Sequence, residues 1–401
     1  MRIVFVHQNM PGQFRHLAPA LARAGHEVLF VTQRKGVELP GVRRIGYSVP
    51  RVSAETTHHY VRLYENSVIA GQQVARVLLD LERQRWKPDA IVGHSGWGEA
   101  LFAKDVFPDV PLLNFCEFYY SGRGADVGFL PDDPATIDTI CRARARNAHL
   151  LLSLEACDAA ISPTHWQKNS HPAPLSDKIE VIFDGIDTAL VKPDPAARYR
   201  LPDGRELAPG DEVLTYVARN LEPYRGYPSF IRALPTILEA RPGLQVVIVG
   251  GDDVSYGKHP PGGGSWRAHM DAEVPFDRSR VHFTGKLPYS DYLRLLQVSA
   301  LHVYLTVPFV LSWSCVEAMS AGCLLLASDT APVREVIENG VNGMLCDFHD
   351  PADIADKAIA MLAGRDGLTG LRNAARATVL DRYDLTQCLE RQMGKVLALA
   401  E

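Results

Sequence analysis

The sequence has no uninterrupted apolar run approaching the roughly 18–20 residues of a membrane-spanning helix, so no span is expected. The opening run, MRIVFVHQNMPGQF, carries one basic residue and is broken too soon for a signal peptide. Seven cysteines (116, 141, 157, 315, 323, 346, 388) include no C-x-x-C pair, which argues against a zinc site or disulfide framework and fits a reducing compartment. Nor is there a basic excess. Lys and Arg total 42 against 47 Asp and Glu, a formal net charge of −5, which removes nucleic acid from the expected partners. No G-x-G-x-x-G follows the first strand, which weakens a nicotinamide reading. A cytoplasmic protein is the expectation, with room for peripheral contact at the inner face of a membrane.

What is present is enough apolar content, 46%, for more than one full core. RIVFVH, then the turn QNMPGQ, then FRHLAPALARAG and EVLFVTQ alternate strand, helix and strand, the pattern of a parallel sheet wrapped by helices. It continues through a long helix near 57–86, AIVGHS, a helix over GWGEALFAKDVF, PLLNF, a helix near 135–155, AAIS and KIEVIFDG. Residues 187–212 are rich in Pro, Gly, Asp and Arg without a period, and the alternation restarts at EVLTYVAR. The division expected is a Rossmann-like domain at 1–188, a linker at 189–212, a second such domain at 213–382 and a final helix at 383–401. Two doubly wound α/β domains in one chain leave a cleft, and ligands bind outside the carboxyl ends of such strands.

Five segments could carry chemistry. Gly12, in the turn after the first strand, lets backbone approach a phosphate or sugar, or simply makes a tight turn. His94 ends a strand in VGHSGWGE and can point into a cleft, although a lone histidine is more often structural. In ARNLEPYRGY, Arg219 ends a strand and Arg225 lies in the turn before a helix. Two guanidiniums beside a helix N-terminus suit a diphosphate. Asp252 and Asp253 invite a metal, but without a third ligand they read as turn chemistry, and no metal is expected. Ser312, Trp313 and Ser314 open a helix whose amides could hold a phosphate, and Glu317 sits one turn further in. A carboxylate in so apolar a stretch needs a partner: a buried arginine, or the hydroxyl pair of a ribose.

Together these segments resemble the retaining glycosyltransferases of family four, which have the two-domain GT-B fold. The likeness covers nearly the whole chain, through VARNLEPYRGY (217–227), FTGKLPYSDYLRLLQVSALHVYLT (283–306), VEAMSAGCLLLASDTAPVREVIENGVNGML (316–345) and VIFDGIDT (181–188). FVHQNMPGQFRHLAPAL, HSGWGE and FCEFYYSGRGADVGF are similar to one bacterial subgroup. The resemblance implies a C-terminal helix packed back on the first domain. It implies that Arg219 and Arg225 bind a donor diphosphate, Arg225 standing where a lysine is more usual. Glu317 would take the ribose hydroxyls, the backbone around Leu311, Ser312, Trp313 and Ser314 the distal phosphate, and the backbone at Lys286 and Leu287 the base. Gly12 would lie against the donor and His94 beside the transferred sugar. Many members carry a second glutamate, which normally contacts the donor sugar. Here that position is Phe309.

The reaction implied is transfer of a sugar from a nucleotide-diphosphate sugar, UDP- or GDP-linked, to an acceptor hydroxyl with retained configuration and no cofactor. The acceptor surface expected is FCEFYYSGRGADVGF, with Glu117, Tyr119, Tyr120 and Arg123. Phe309 and the loop 252–267 are expected to bear on the donor. Two alternatives stand beside this reading. A nucleotide-sugar hydrolase or epimerase would need no acceptor, and a catalytically inactive nucleotide-sugar-binding protein would turn over nothing.

Overall fold

Strands buried on both faces read as continuous apolar runs, and these runs become two all-parallel sheets. The computed structural model describes residues 1–401 and divides into two units, Met1–Gly185 with Leu385–Glu401, and Ile186–Asp384.

The first unit contains β1 (Arg2–Val6), β2 (Glu27–Thr32), β3 (Val42–Gly46), β4 (Ala90–His94), β5 (Leu112–Phe115), β6 (Ala159–Ser162) and β7 (Ile179–Val181). Their order across the sheet is β3-β2-β1-β4-β5-β6-β7, so the winding direction reverses between β1 and β4. Successive residues point to opposite faces. Ile3 and Phe5 therefore join Phe14, Phe30 and Phe115 in one core, while Val4 and Val6 join Leu29, Val31 and Ile91 in the other. The helix Arg62–Arg83 covers the second core with Val74, Leu78 and Leu81. The first core is covered in part by the final helix, Leu385–Ala400, through Leu389, Met393, Val396 and Leu397. Gln392 fixes that helix by donating from Nε2 to the Phe183 carbonyl at 2.9 Å. The last helix thus packs on the first unit.

The second unit holds a hairpin, β8 (Tyr199–Arg200) with β9 (Glu206–Leu207), and six further strands. These are β10 (Val213–Asn220), β11 (Gln245–Gly251), β12 (Val281–Gly285), β13 (Leu301–Tyr304), β14 (Leu324–Ser328) and β15 (Met344–Cys346). Their order is β12-β11-β10-β13-β14-β15, with the reversal between β10 and β13.

The structure departs from the sequence expectation in instructive places. β3 is an additional strand whose Arg43 and Arg44 are exposed, the charged edge that hides a strand from an apolar pattern. The helix expected over 96–107 is only the turns Ser95–Trp97 and Ala103–Val106, because Gly98 adopts φ +91°. The helix near 135–155 is two, Ile137–Arg146 and Ala148–Ala156. They part at Asn147, whose side chain holds both the amide and the carbonyl of Tyr120. Residues 189–212, expected as a linker, lie within the second unit. Ala197, Tyr199, Leu201 and Leu207 pack with Val213, Val247, Val249, Leu295 and Val298 in one core. Arg376 fastens the entry to this segment through the carbonyls of Thr188 and Val191, at 3.2 and 3.1 Å.

A fully buried leucine in a true core costs about 2–5 kcal/mol when cut to alanine. Leu201 is 2% exposed, so Leu201→Ala should destabilise the second unit by that order, seen as a lower denaturation midpoint. An unchanged midpoint would restore the linker reading.

Candidate active site

In the second unit the carboxyl ends of β10, β11, β12 and β13 bring together most of the residues singled out from the sequence. The register of β10 against β11 slips between Val217 and Asn220, which lifts Arg219 off the ladder at the strand end. Its side chain is exposed and engages no other residue. Arg225 closes the turn Pro223–Arg225 and is aimed by its partners: Nη1 donates to Thr306 Oγ1 at 2.8 Å and to the Val310 carbonyl at 3.2 Å. The Tyr216 hydroxyl, buried under the turn, donates to the Arg225 carbonyl at 2.6 Å. One guanidinium is thus unoccupied and the other is pinned, both beside the strand reversal.

The helix Trp313–Ser320 follows the loop after β13. Ser312 caps it, with Oγ accepting from the Ser314 amide at 3.4 Å, and the Ser312 amide donates to the Tyr304 hydroxyl at 2.8 Å. Glu317, 5% exposed, lies in the second turn. Its partner is neither an arginine nor solvent. Tyr289 and Tyr292, on the helix Tyr289–Val298, donate their hydroxyls to Oε1 and Oε2 at 2.7 and 2.8 Å. Burial, reinforced by the Glu317 charge, holds the Tyr292 hydroxyl well above its ordinary pKa, so it stays a donor. Each carboxylate oxygen has two acceptor positions, so the tyrosines leave capacity for further hydroxyls.

Phe309 is buried and meets Tyr256 and Tyr224, with ring centroids 4.9 and 5.8 Å away. Lys286 is exposed just past β12, where its stem passes close to Gly251, and Leu287 packs on the core of the unit. Asp252 faces Arg267 at 3.9 Å, and Asp253 accepts the Val254 amide and faces His259.

In the first unit, the carboxyl ends of β1, β4 and β5 gather a second group. His7 is 1% exposed; its Nδ1 accepts the Asn9 amide at 2.9 Å, so Nε2 carries the proton and donates to Gln13 Oε1 at 2.8 Å. Gln13 Nε2 then donates to Glu117 Oε1 at 2.8 Å. His94 Nδ1 accepts the Gly96 amide at 3.0 Å, which leaves the proton on Nε2. That nitrogen has no hydrogen bond, and Glu117 Oε2 stands 3.8 Å away. The His94 ring is stacked between Trp97 and Phe115, at 4.5 and 5.2 Å. Burial pushes both histidines down, His7 to about 4 against the opposing Gln13 bond, and His94 well below its ordinary value with help from His7. Both are neutral at pH 7. Gly12 has φ +52°, and a Cβ there would come within 2.4 Å of His7 Nε2, so the turn requires glycine.

Two family descriptions match the chain in sequence: Glycosyl transferase family 4 group over residues 24–191 and Glycosyl transferases group 1 over residues 202–378. The chain belongs to the family 4 glycosyltransferases. A D-inositol 3-phosphate glycosyltransferase of Nocardia farcinica is 31% identical over 211 residues, 50% of this chain and 44% of that one. A GDP-mannose-dependent alpha-(1-6)-phosphatidylinositol monomannoside mannosyltransferase of Mycobacterium tuberculosis is 23% identical over 221 residues, 51% and 52% of the two chains. The matched segments thus span about half the length of these curated relatives. Among solved structures, Anabaena HepE in complex with UDP-glucose superposes with a TM-score of 0.70 at 17% identity, over 99% of both chains. Sucrose-phosphate synthase of Thermosynechococcus elongatus superposes with 0.72 at 17%, over 99% and 98%. The fold is therefore GT-B.

For this family 4 glycosyltransferase, Arg219, Arg225, Phe309 and the segment 311–317 line the carboxyl edge of one sheet, and Gly12, His94 and Glu117 that of the other. The remaining acceptor-side candidates are held elsewhere. The Tyr119 ring packs near His171 at 5.5 Å, the Tyr120 ring lies under Arg146 at 3.7 Å, and Arg123 is exposed. Sequence reasoning missed His7, Gln13, Tyr289 and Tyr292. His7 had a signal, a histidine directly after the first strand and four residues before Pro11-Gly12. The tyrosines had none, because their target is 25 or more positions away.

The buried histidines impose a pH dependence. In the unfolded chain His7 binds its proton near pH 6.5, and in the folded protein near 4. Its contribution is therefore complete above pH 6.5 and is lost as the pH falls toward 4, by on the order of 3 kcal/mol. Denaturation midpoints of His7→Gln should fall less steeply with acid across this window than those of the wild type. Parallel slopes would contradict the neutral buried state.

Proposed function

We propose that the protein transfers a sugar from a nucleotide-diphosphate sugar to an acceptor hydroxyl, with retention of anomeric configuration and without a metal. The observation that carries this reading is the placement of Arg219, Arg225 and the capped helix Trp313–Ser320 around one strand reversal, with Glu317 one turn further in. In this reading the diphosphate lies against the two guanidiniums and the amides of 311–314, where charge-assisted bonds and the helix dipole act together. Glu317 takes the ribose hydroxyls beside its tyrosine partners, and the backbone at Lys286 and Leu287 meets the base.

The chemical demand is stabilisation of leaving-group charge as the glycosidic bond breaks. Arg219 is unencumbered and Arg225 is already oriented, so neither must reorganise far during the reaction. The departing phosphate oxygen takes the acceptor's proton on the same face, so no carboxylate base is needed. His94, neutral with its proton on Nε2, is a hydrogen-bond donor rather than a charge, suited to orienting the transferred sugar. Gly12 belongs to this side through the turn it makes possible. Glu117, Tyr119, Tyr120 and Arg123 remain the proposed acceptor surface.

The donor nucleotide proposed is UDP or GDP, since structures of like fold hold UDP and one relative is GDP-mannose-dependent. The names of the relatives support a polyol or glycolipid acceptor and a bacterial setting. No helix is long and apolar enough to cross a membrane. We place the reaction in the cytoplasm, with the inner face of the membrane as its site when the acceptor is a lipid.

Calorimetric titration with UDP, GDP, ADP and their sugar conjugates, in the presence of a chelator, tests this directly. One nucleotide should bind selectively, with affinity reduced in Glu317→Ala. Arg219→Ala should cost roughly 10²–10³ in turnover. Failure of every nucleotide to bind the folded protein would overturn the reading.

A further inference from the structure

The wall beside Arg225 is aromatic. Tyr224, Tyr256 and Phe309 come from the turn after β10, the loop after β11 and the segment after β13, and they close on one another. Tyr256 and Phe309 are 4.9 Å apart, Tyr224 and Phe309 5.8 Å with rings at 81°, and Tyr224 and Tyr256 6.1 Å. The face of Tyr256 looks onto the Arg225 guanidinium at 5.6 Å.

This trio is held in place by a buried carboxylate with both oxygens engaged. Glu222, with no exposed surface, accepts the backbone amides of Ser255 at 3.1 Å, Tyr256 at 3.1 Å and Gly257 at 2.9 Å. Asn220 adds a bond from Nδ2 to Ser255 Oγ at 2.8 Å. An acid buried this deeply is unfavourable unless its oxygens are satisfied, so the loop and the acid fix each other. The consequence is a fixed backbone at Tyr256, with both Glu222 oxygens turned to the loop amides.

In the donor-site reading, a diphosphate on Arg225 brings this wall within reach of the donor sugar. We propose that Tyr224, Tyr256 and Phe309 form a specificity wall selecting a donor sugar with a hydroxyl-poor face, of the deoxy-sugar class. The proposal rests on the donor-site reading above. Ring faces accept C–H and methyl groups and offer no strong partner to a hydroxyl. A hydroxyl pressed against them loses its bonds to water without replacement, whereas a hydrogen or methyl loses nothing. A carboxylate at position 309 would reverse the preference by accepting from that hydroxyl.

The test compares binding of UDP, GDP and ADP alone with binding of UDP-glucose, GDP-mannose and their 3-, 4- and 6-deoxy analogues. It uses the wild type, Phe309→Glu and Tyr256→Ala. Tyr256 is 43% exposed, so its truncation leaves the fold intact even where Phe309→Glu does not. In the wild type one deoxy analogue should bind roughly tenfold or more tightly than its parent, the scale on which an apolar pocket discriminates against an added hydroxyl. That preference should shrink in Tyr256→Ala and invert in a folded Phe309→Glu. If every parent sugar binds the wild type as tightly as its analogues, or Tyr256→Ala leaves the preference intact, the specificity wall is wrong. If UDP, GDP and ADP all fail to bind the folded protein, the donor-site reading itself has failed, and the proposal with it.

Discussion

A parallel sheet wound outward in both directions cannot close over the point where the winding reverses. The helices leaving the two central strands go to opposite faces, so the loops above them part. In each unit this gap is fixed by strand order alone, between β1 and β4 in one and between β10 and β13 in the other. Both groups of candidate side chains stand at these gaps. Arg219 ends β10 and Thr306, which aims Arg225, follows β13; His7 follows β1 and His94 ends β4. Topology sets the position of these candidate groups before any side chain is chosen.

Around that constraint the two units solve opposite electrostatic problems. The second keeps polar groups supplied with partners but able to accept more. Glu317 is buried against two tyrosine hydroxyls and retains acceptor capacity, while Arg219 has no protein partner. The first keeps its histidines neutral by burial and fixes their tautomers through the amides of Asn9 and Gly96. A neutral imidazole presents the same hydrogen-bonding face at any pH well above its lowered pKa. One unit is therefore suited to anions and the other to hydroxyls.

The parallel sheets were legible in the sequence because strands buried on both faces are written as apolar runs, RIVFV and VVIVG among them. What escaped was written in charge or in dispersed residues. β3 carries two exposed arginines, and the hairpin β8–β9 buries single residues between prolines, glycines and acids. At the candidate site, residue type and position in the strand-helix pattern were enough to single out Arg219, Arg225, His94 and Glu317 as candidates, and the structure places them near the carboxyl ends of the two sheets. Partners did not follow, because they depend on which helices the sheet order makes neighbours. Glu317 plainly required a donor, yet Tyr289 and Tyr292 could be named only from the packing of their helix. The aromatic company of Phe309 was equally invisible, since its three members come from three separate loops.

The central claim is that a diphosphate sits at the β10/β13 reversal. A crystal structure of the protein with the nucleotide diphosphate that binds it would test this most directly. The account predicts phosphate oxygens within hydrogen-bond distance of the Arg219 and Arg225 guanidiniums and of the amides at 311–314, with a ribose hydroxyl on Glu317. A nucleotide bound elsewhere on the second unit, with both arginines still without a phosphate, would contradict it.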